Sequence, residues 1–237
     1  MRACGSDKNA LVADDPDGPT GDPAGTPASL GAHAIVFQRL NGGLSTLASP
    51  ALASSASGST VIVSVGRGDF GAFAAPTDNK GNSYAALGTP HVYTRYPNSG
   101  TALYAAAAAN GGPGHVVSAT TPPSDEITLA MVEVRGRRVQ DFKWSEVLMD
   151  KPLTSQKVTT TGPATLVAFW WGDAGVDSDK TATPNNGFTV IDAVLSSGAL
   201  VQAAVAVKAV TTAGSYDVTW TATPRQGAQL WIAAIGD

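Results

Sequence analysis

Short runs of alternating apolar and polar residues recur along this chain, and each run ends in residues that favour turns. The run at residues 162–173 matches the run at residues 58–69 position for position. In both copies small residues come first, β-branched and aromatic residues follow, and a Gly-Asp pair ends the run, which is typical of a strand and its turn. Because further segments match in the same order, the sequence predicts an internal duplication.

The matched segments define two repeats, at about 33–136 and 137–237. Alternation and intervening turn residues predict these strands in the first repeat: 34–39, 61–65, 83–87, 102–108, 115–120 and 127–134. Matching strands are predicted in the second repeat at 162–173, 199–208, 216–220 and 230–235.

Composition supports a fold built of strands alone, since charged residues make up 14% of the 237 residues and 26 glycines accompany many small side chains. We expect an all-β fold, an antiparallel two-sheet β-sandwich of jelly-roll or Ig-like type, formed by the two repeats over residues 32–237. Two tandem Ig-like domains of about 100 residues each are the alternative. The short connection at Arg137 and Arg138 and the Ala-rich strands favour one body.

Charge and cysteine content exclude several classes of protein. The formal net charge is −4, and the 15 Lys and Arg residues are scattered singly, so no basic stripe could bind a row of phosphates. We therefore do not expect nucleic acid as a partner. The single cysteine excludes an internal disulfide and a Cys-based zinc site, and the three histidines lack metal-site spacing. We predict no cofactor and no metal site.

The first 31 residues are predicted to form a flexible tether, because this acidic, Pro- and Gly-rich segment has few large apolar residues. Asp14, Asp15, Asp17 and Asp22 fit a solvated linker better than a calcium loop. Cys4 follows a small residue, like the lipidated cysteine of a bacterial lipoprotein, although the Leu expected before it is missing. We expect an exported protein, secreted or held at the bacterial outer membrane or cell surface by a lipid on Cys4.

One turn and the strands around it resemble those of a known type of protein module. The segment from Asp78 to Tyr84 has the pattern Asp-x-x-Gly-Asn-x-Tyr, and strands reading Leu-Tyr-Ala-Ala and His-Val-Val-Ser-Ala-Thr follow it. This order resembles exported bacterial Ig-like or jelly-roll β-sandwich modules over nearly everything after residue 32. The resemblance implies a secreted, multidomain surface protein, and it transfers no catalytic residue.

Residue types that carry catalysis are present, but none stands in a catalytic pattern. His33, His91 and His115 lack a nearby nucleophile motif such as Gly-x-Ser-x-Gly, so we interpret them as ordinary surface or strand histidines. Glu133 lies in an apolar strand, not far from Asp141, and a glycosidase would need two such carboxylates facing each other. We interpret Glu133 as a structural carboxylate held by hydrogen-bond donors or a cation, and predict no catalytic residue.

Aromatic residues give the best candidate binding site. Alternation along the strand places Val167 and Phe169 inward and Trp170 outward, and exposed rings stack on the faces of sugars. We predict a ligand-binding site from rings and from side chains able to hydrogen-bond sugar hydroxyls: Trp170, Trp171, Asp173, Asn185 and Asn186. Other large rings in the chain are Trp144, Trp231, Tyr93 and Tyr96.

For function, these patterns favour a non-catalytic module at the cell surface that binds or adheres to a glycan or a surface protein. The opposing hypothesis is an extracellular hydrolase or lyase acting on polysaccharide, which would need a groove with facing carboxylates. A third hypothesis is a structural spacer or assembly subunit, which would present unpaired edge strands or large contact surfaces.

Overall fold

The computed structural model describes residues 27–69, 72–135, 138–148, 151–173, 180–195, 201–223 and 226–237. Throughout these residues the chain forms strands, turns and loops and no helix, so the predicted all-β fold is confirmed. Most of the predicted tether, including Cys4 and the four aspartates, lies outside the described residues. The predicted division into a tether and two repeats stays a prediction.

The first half forms the strands β1 (Leu30–Gln38), β2 (Thr46–Ala48), β3 (Ser59–Arg67), β4 (Thr77–Asp78), β5 (Ala85–Ala86), β6 (His91–Tyr93), β7 (Tyr96–Ala109), β8 (Val117–Thr120) and β9 (Ile127–Val134). β1 begins earlier than predicted. The short strands β2, β4 and β6 were not predicted, because two or three residues are too few to show a period of two.

The second half forms the strands β10 (Arg138–Val147), β11 (Leu153–Thr154), β12 (Val158–Thr160), β13 (Ala164–Asp173), β14 (Thr181–Pro184), β15 (Thr189–Val194), β16 (Val201–Val210), β17 (Gly214–Tyr216), β18 (Thr219–Thr223) and β19 (Ala228–Gly236). β13, β16, β18 and β19 lie close to the predicted strands. β10 is long and was not predicted as a strand.

Two large antiparallel sheets dominate the fold. The first has the strand order β1-β9-β3-β7-β5, with β6 also paired to β7, and the second has the order β10-β19-β13-β16-β15. In both sheets the first strand of a half pairs with the last, and the central strand is β3 in the first sheet and β13 in the second. The two halves therefore place their strands in corresponding order, which agrees with a duplication; the duplication itself stays a prediction.

Smaller sheets cover the outer faces of the large ones. One consists of β2-β8-β4 in the first half, and the second half has β11-β18-β14 and the pair β12-β17. Leu47, Val117 and Ala119 of the first outer sheet share a buried cluster with Val61 and Val63 of β3. In the second half, Trp220 and Val218 share a buried cluster with residues of β13. We call these two clusters the outer cores of the first and the second half.

A third buried cluster, here called the central core, joins the two large sheets. It combines Ile62, Val132 and neighbouring residues of the first sheet with Val167, Phe169 and their neighbours in the second. The large sheets thus pack face to face, and the β-sandwich has outer layers that the sequence did not predict. Both faces of β3 and β13 are covered, so these strands have no wet face.

The matched runs differ in which core they face. Val63 and Val65 point into the outer core of the first half, whereas Val167 and Phe169, the residues matched to them, point into the central core. A shift of one residue along a strand moves every side chain to the opposite face. The prediction that the matched residues point to the same inward face is therefore wrong, whereas the match itself stays a prediction.

Individual contacts lock the halves together. The indole of Trp171 in β13 lies directly over Gly66 in β3, where a Cβ would also come within 2.7 Å of Thr128 Oγ1. The ring of Tyr93 meets Trp171 edge to face at 6.4 Å. The Trp231 Nε1–H donates to Thr101 Oγ1 at 2.9 Å, and that hydroxyl donates to Gln229 Oε1 at 2.7 Å. These contacts leave no room for side-chain growth between the sheets.

We predict that Gly66→Ala lowers the free energy of unfolding by roughly 1–3 kcal/mol, because the new methyl group would overlap the Trp171 indole. Gly162→Ala is the matched control, since no atom lies within 4 Å of a Cβ built there. Urea unfolding of both variants measures the difference. An equal, small effect of the two substitutions would contradict the packing of Trp171 on Gly66.

Candidate functional site

The prediction that Trp170 faces outward is wrong. Its side chain is 2% exposed and packs in the outer core of the second half, where its ring lies 6.2 Å from that of Trp220 at an angle of 24°. Alternation correctly places Trp170 on the face of β13 opposite to Phe169, but the outer sheet β11-β18-β14 covers that face. A buried ring cannot stack on a sugar, so Trp170 is not available to a ligand.

The other predicted binding residues do not form one exposed surface either. Trp171 is 3% exposed and sits between the halves. Asn185 and Asn186 lie in an exposed turn, where Asn185 Oδ1 accepts the Thr219 N–H at 2.8 Å and Asn186 Nδ2 donates to Asp217 Oδ1 at 2.8 Å. Asp173 ends β13, and its side chain is outside the described residues, as is the loop 174–179.

A different aromatic site lies between the two halves. We call it the aromatic cleft; it has a volume of about 180 Å³ and is lined mainly by His91, Phe142, Lys143, Trp144, Gln156 and Trp231. His91 comes from β6 of the first half, whereas Phe142, Lys143 and Trp144 come from β10 and Trp231 from β19. The cleft therefore exists only because the halves pack together.

The rings of the cleft form a rigid wall. His91 stacks on Trp144 with a centroid distance of 3.9 Å and an interplanar angle of 7°. Burial lowers the pKa of His91, against an opposing effect of the Glu146 carboxylate, so the imidazole is neutral at neutral pH. Phe142 and Trp144 are half-buried, which leaves part of each ring accessible. The two rings and His91 thus present an apolar surface to a ligand.

Polar side chains border this wall. Lys143 Nζ lies 2.7 Å from Asp141 Oδ1, and Asp141 Oδ2 accepts the Thr159 N–H at 2.9 Å. Burial alone would raise the pKa of Asp141, but Lys143 and backbone donors lower it overall, so the carboxylate is ionised. Gln156 Nε2 donates to the Trp144 carbonyl oxygen at 2.8 Å, which fixes the amide beside the ring.

The interpretation of Glu133 as a structural carboxylate agrees with its contacts. Glu133 is buried, and its oxygens accept the N–H groups of Ala32 and Ser55, each at 2.9 Å, and the Ser59 hydroxyl at 2.7 Å. Burial would raise its pKa, but these donors lower it further than burial raises it. The carboxylate fastens the beginning of β1 and the loop before β3 to β9.

A polar constellation that the sequence did not predict lies in the first half. The Ser54 hydroxyl is 2.9 Å from His115 Nδ1, and His115 Nε2 is 3.0 Å from Asp78 Oδ2. We call these three residues the serine relay. His115 is therefore not an ordinary surface or strand histidine, because its ring is buried and hydrogen-bonded to both Ser54 and Asp78. Its partners lie 61 and 37 residues away in the chain, so no local motif could reveal them.

Asp78 is the most heavily hydrogen-bonded member of the relay. Besides His115, it accepts bonds from Asn82 Nδ2, the Tyr84 hydroxyl, and the backbone N–H groups of Lys80 and Asn82. Burial would raise its pKa, but these bonds together bring the pKa to about 2. Asp78 is therefore an anion at every physiological pH, and the sequence correctly identified its segment as a turn.

No group of three or more His, Cys, Asp or Glu side chains that could hold a metal ion occurs within the described residues. Nor does that part of the chain contain a helix long and apolar enough to cross a membrane. Comparison with protein-family models, curated proteins and solved structures found no match to this chain.

We predict that Asp78→Asn lowers the free energy of unfolding by roughly 2 kcal/mol at pH 7, and that this difference shrinks as the pH falls from about 4 to about 2. Asp78 has a pKa of about 2 in the folded chain against an ordinary value of 3.8, so its charged form stabilises the fold above pH 3.8. That contribution is lost as the carboxylate becomes protonated.

Chemical unfolding of both proteins from pH 2 to pH 7 measures this difference. Asp69→Asn, which removes the charge of an exposed side chain, is the control for net charge. A wild-type advantage that persists unchanged at pH 2 would contradict the role given to the Asp78 carboxylate.

Proposed function

We propose that this protein is a binding module that recognises carbohydrate through the aromatic cleft without catalysing a reaction there. The observation that carries the proposal is the half-buried Trp144 ring, stacked on His91 and bordered by polar side chains. The cleft takes the place of the predicted site at Trp170 and Trp171, whose rings are buried.

The chemistry of the cleft suits a sugar ring. The C–H face of a pyranose packs on an aromatic ring, and its hydroxyl groups need both donors and acceptors nearby. Phe142 and Trp144 offer the apolar face, Lys143 offers a donor, and Asp141 offers carboxylate oxygens close to that donor. Apolar walls with a few placed polar groups are typical of ligand sites.

The size and position of the cleft favour a short ligand segment held by rigid walls. Its volume of about 180 Å³ is below the roughly 300–1,000 Å³ of sites for drug-sized ligands, which fits one sugar ring better than a long chain. Phe142, Trp144 and Trp231 stand on paired strands, so their rings are positioned before a ligand arrives.

We favour binding over hydrolysis of polysaccharide at this cleft. Glycosidases need two carboxyl groups on either side of the scissile bond. The described residues that line the cleft include no Asp or Glu, and the neighbouring Asp141 is already held by Lys143 and Thr159. Asp141, an ion-paired carboxylate at the edge, suits the recognition of a hydroxyl group better than acid catalysis, and the Glu146 carboxylate near His91 already accepts the Thr94 N–H at 3.2 Å.

We predict that Trp144→Ala abolishes binding on a glycan array, whereas Trp144→Phe, which keeps a ring, retains part of it. Leu44→Ala is the control for loss of an exposed apolar side chain away from the cleft, since Leu44 is 50% exposed. Thermal unfolding of each variant verifies that it is folded. If wild type and Leu44→Ala bind no glycan, or if Trp144→Ala binds as well as wild type, the proposal fails.

We also propose that the protein acts at a bacterial surface, secreted or attached by a lipid on Cys4, where its ligands would be glycans or surface proteins. A small residue before Cys4 and the acidic, Pro-rich segment after it support this proposal. We expect mass spectrometry of the protein from its native host to find acyl chains on Cys4. A free thiol there would contradict anchoring by lipid.

A further inference from the structure

We propose that Ser54, His115 and Asp78 form a second site, a nucleophilic serine that takes acyl groups from esters. Ser54 lies in the loop between β2 and β3, His115 just before β8, and Asp78 at the end of β4. The topology brings the three residues into one chain of hydrogen bonds of 2.9 and 3.0 Å. A serine, a histidine and an aspartate joined by hydrogen bonds are the working parts of serine hydrolases, and here the imidazole is reversed, with Nδ1 facing the serine and Nε2 the aspartate.

The neighbours of the relay fix the direction of each hydrogen bond. The backbone N–H of Gly112 donates to Ser54 Oγ at 3.1 Å, so the hydroxyl hydrogen is free to point at His115 Nδ1. Asp78 is an anion that can only accept, so His115 Nε2 carries the proton. The resulting order, hydroxyl to imidazole to carboxylate, makes His115 Nδ1 a base aimed at Ser54.

The two ends of the relay differ in exposure as a nucleophilic site requires. The side chains of His115 and Asp78 are 0% exposed, which holds them in one geometry and excludes water from their hydrogen bond. Ser54 is half-buried, so part of the residue is in contact with solvent. The Gly112 N–H donates to Oγ itself and would stabilise the negative charge that Oγ gains as its proton leaves.

A purely structural role does not by itself explain the serine relay. The corresponding turn of the second half, before Phe188, is held by Asn186 and Asp217 without a histidine or a serine. In both halves a serine hydroxyl already accepts a backbone N–H at the beginning of an outer strand: Ser49 from Val117, the first residue of β8, and Ser155 from Val218, just before β18. The fold thus secures this region in the second half with simpler contacts.

The reaction follows from the directions of the hydrogen bonds. Ser54 Oγ forms a bond to the acyl carbon of an ester while its proton passes to His115 Nδ1. The bond to the alkoxy group breaks, and the alcohol leaves with its electron pair and that proton. Water then attacks the acyl carbon, giving a proton to Nδ1, and Ser54 Oγ leaves and takes the proton back. The net reaction turns an ester and water into a carboxylic acid and an alcohol.

The test is covalent labelling of the full-length protein with a fluorophosphonate, followed by intact mass measurement and peptide mapping. We expect one adduct on Ser54 in wild type, and none on Ser54→Ala. Ser57→Ala is the matched control, since Ser57 is an exposed serine of the same loop and should leave labelling unchanged. Trp144→Ala should also be labelled as wild type, so failure of the carbohydrate proposal and failure of this one are distinguishable.

His115→Gln should slow labelling by roughly 10²–10⁴-fold, the usual contribution of a general base. Asp78 acts through His115 as a positioning residue, so Asp78→Asn should slow labelling by a similar factor and also reduce the Nε2–H tautomer of His115 in ¹H–¹⁵N spectra. A purely structural role of Asp78 would leave the labelling rate of the folded variant unchanged, whatever happens to the tautomer. Thermal unfolding shows whether each variant is folded. If a variant is unfolded, the position of the adduct in wild-type protein still tests the proposal.

Folded wild-type protein that carries no adduct on Ser54 would overturn the proposal. The serine relay would then only hold the loop in place. An adduct mapped to another serine, or equal labelling of Ser54 in folded His115→Gln, would overturn it as well. Slow hydrolysis of p-nitrophenyl acetate that disappears in Ser54→Ala would support turnover beyond the first acyl transfer.

Discussion

The packing of the two large sheets against each other is the constraint on which the rest of the structure depends. It buries one face of each sheet in the central core, while outer sheets cover the opposite faces. Few charged residues and many small ones allow strands such as β3 and β13 to approach their neighbours on both sides. Charged side chains on these central strands would each need a buried partner, as Arg67 has in Asp125, 2.8 Å away.

This arrangement leaves function to the margins of the sheets. Rings at the centre, such as Trp170 and Trp171, are used to fill cores, whereas Trp144 on the edge strand β10 keeps part of its surface accessible. The aromatic cleft lies at this edge, where β6 of one half meets β10 of the other. The serine relay lies elsewhere, in loops beside the first outer sheet, so the two proposed sites use separate parts of the molecule.

The sequence predicts the class of fold because alternation and turn residues are local signals. The turn that begins at Asp78 could be recognised from its Asp, Asn and Gly residues alone. The burial of Trp170 could not be predicted in this way, since alternation distinguishes the two faces of a strand but does not say whether a second sheet covers the outer face. The relay of Ser54 and His115 was also out of reach, because it joins residues that only the topology brings together.

Hydrogen exchange followed by mass spectrometry tests the shared central core most directly. Amides of β3 and β13 should exchange slowest and should report the same free energy of opening, because opening either strand exposes the same buried side chains. Exchange in β13 that is much faster than in β3, or the reverse, would show that the halves open independently and would contradict a core common to both.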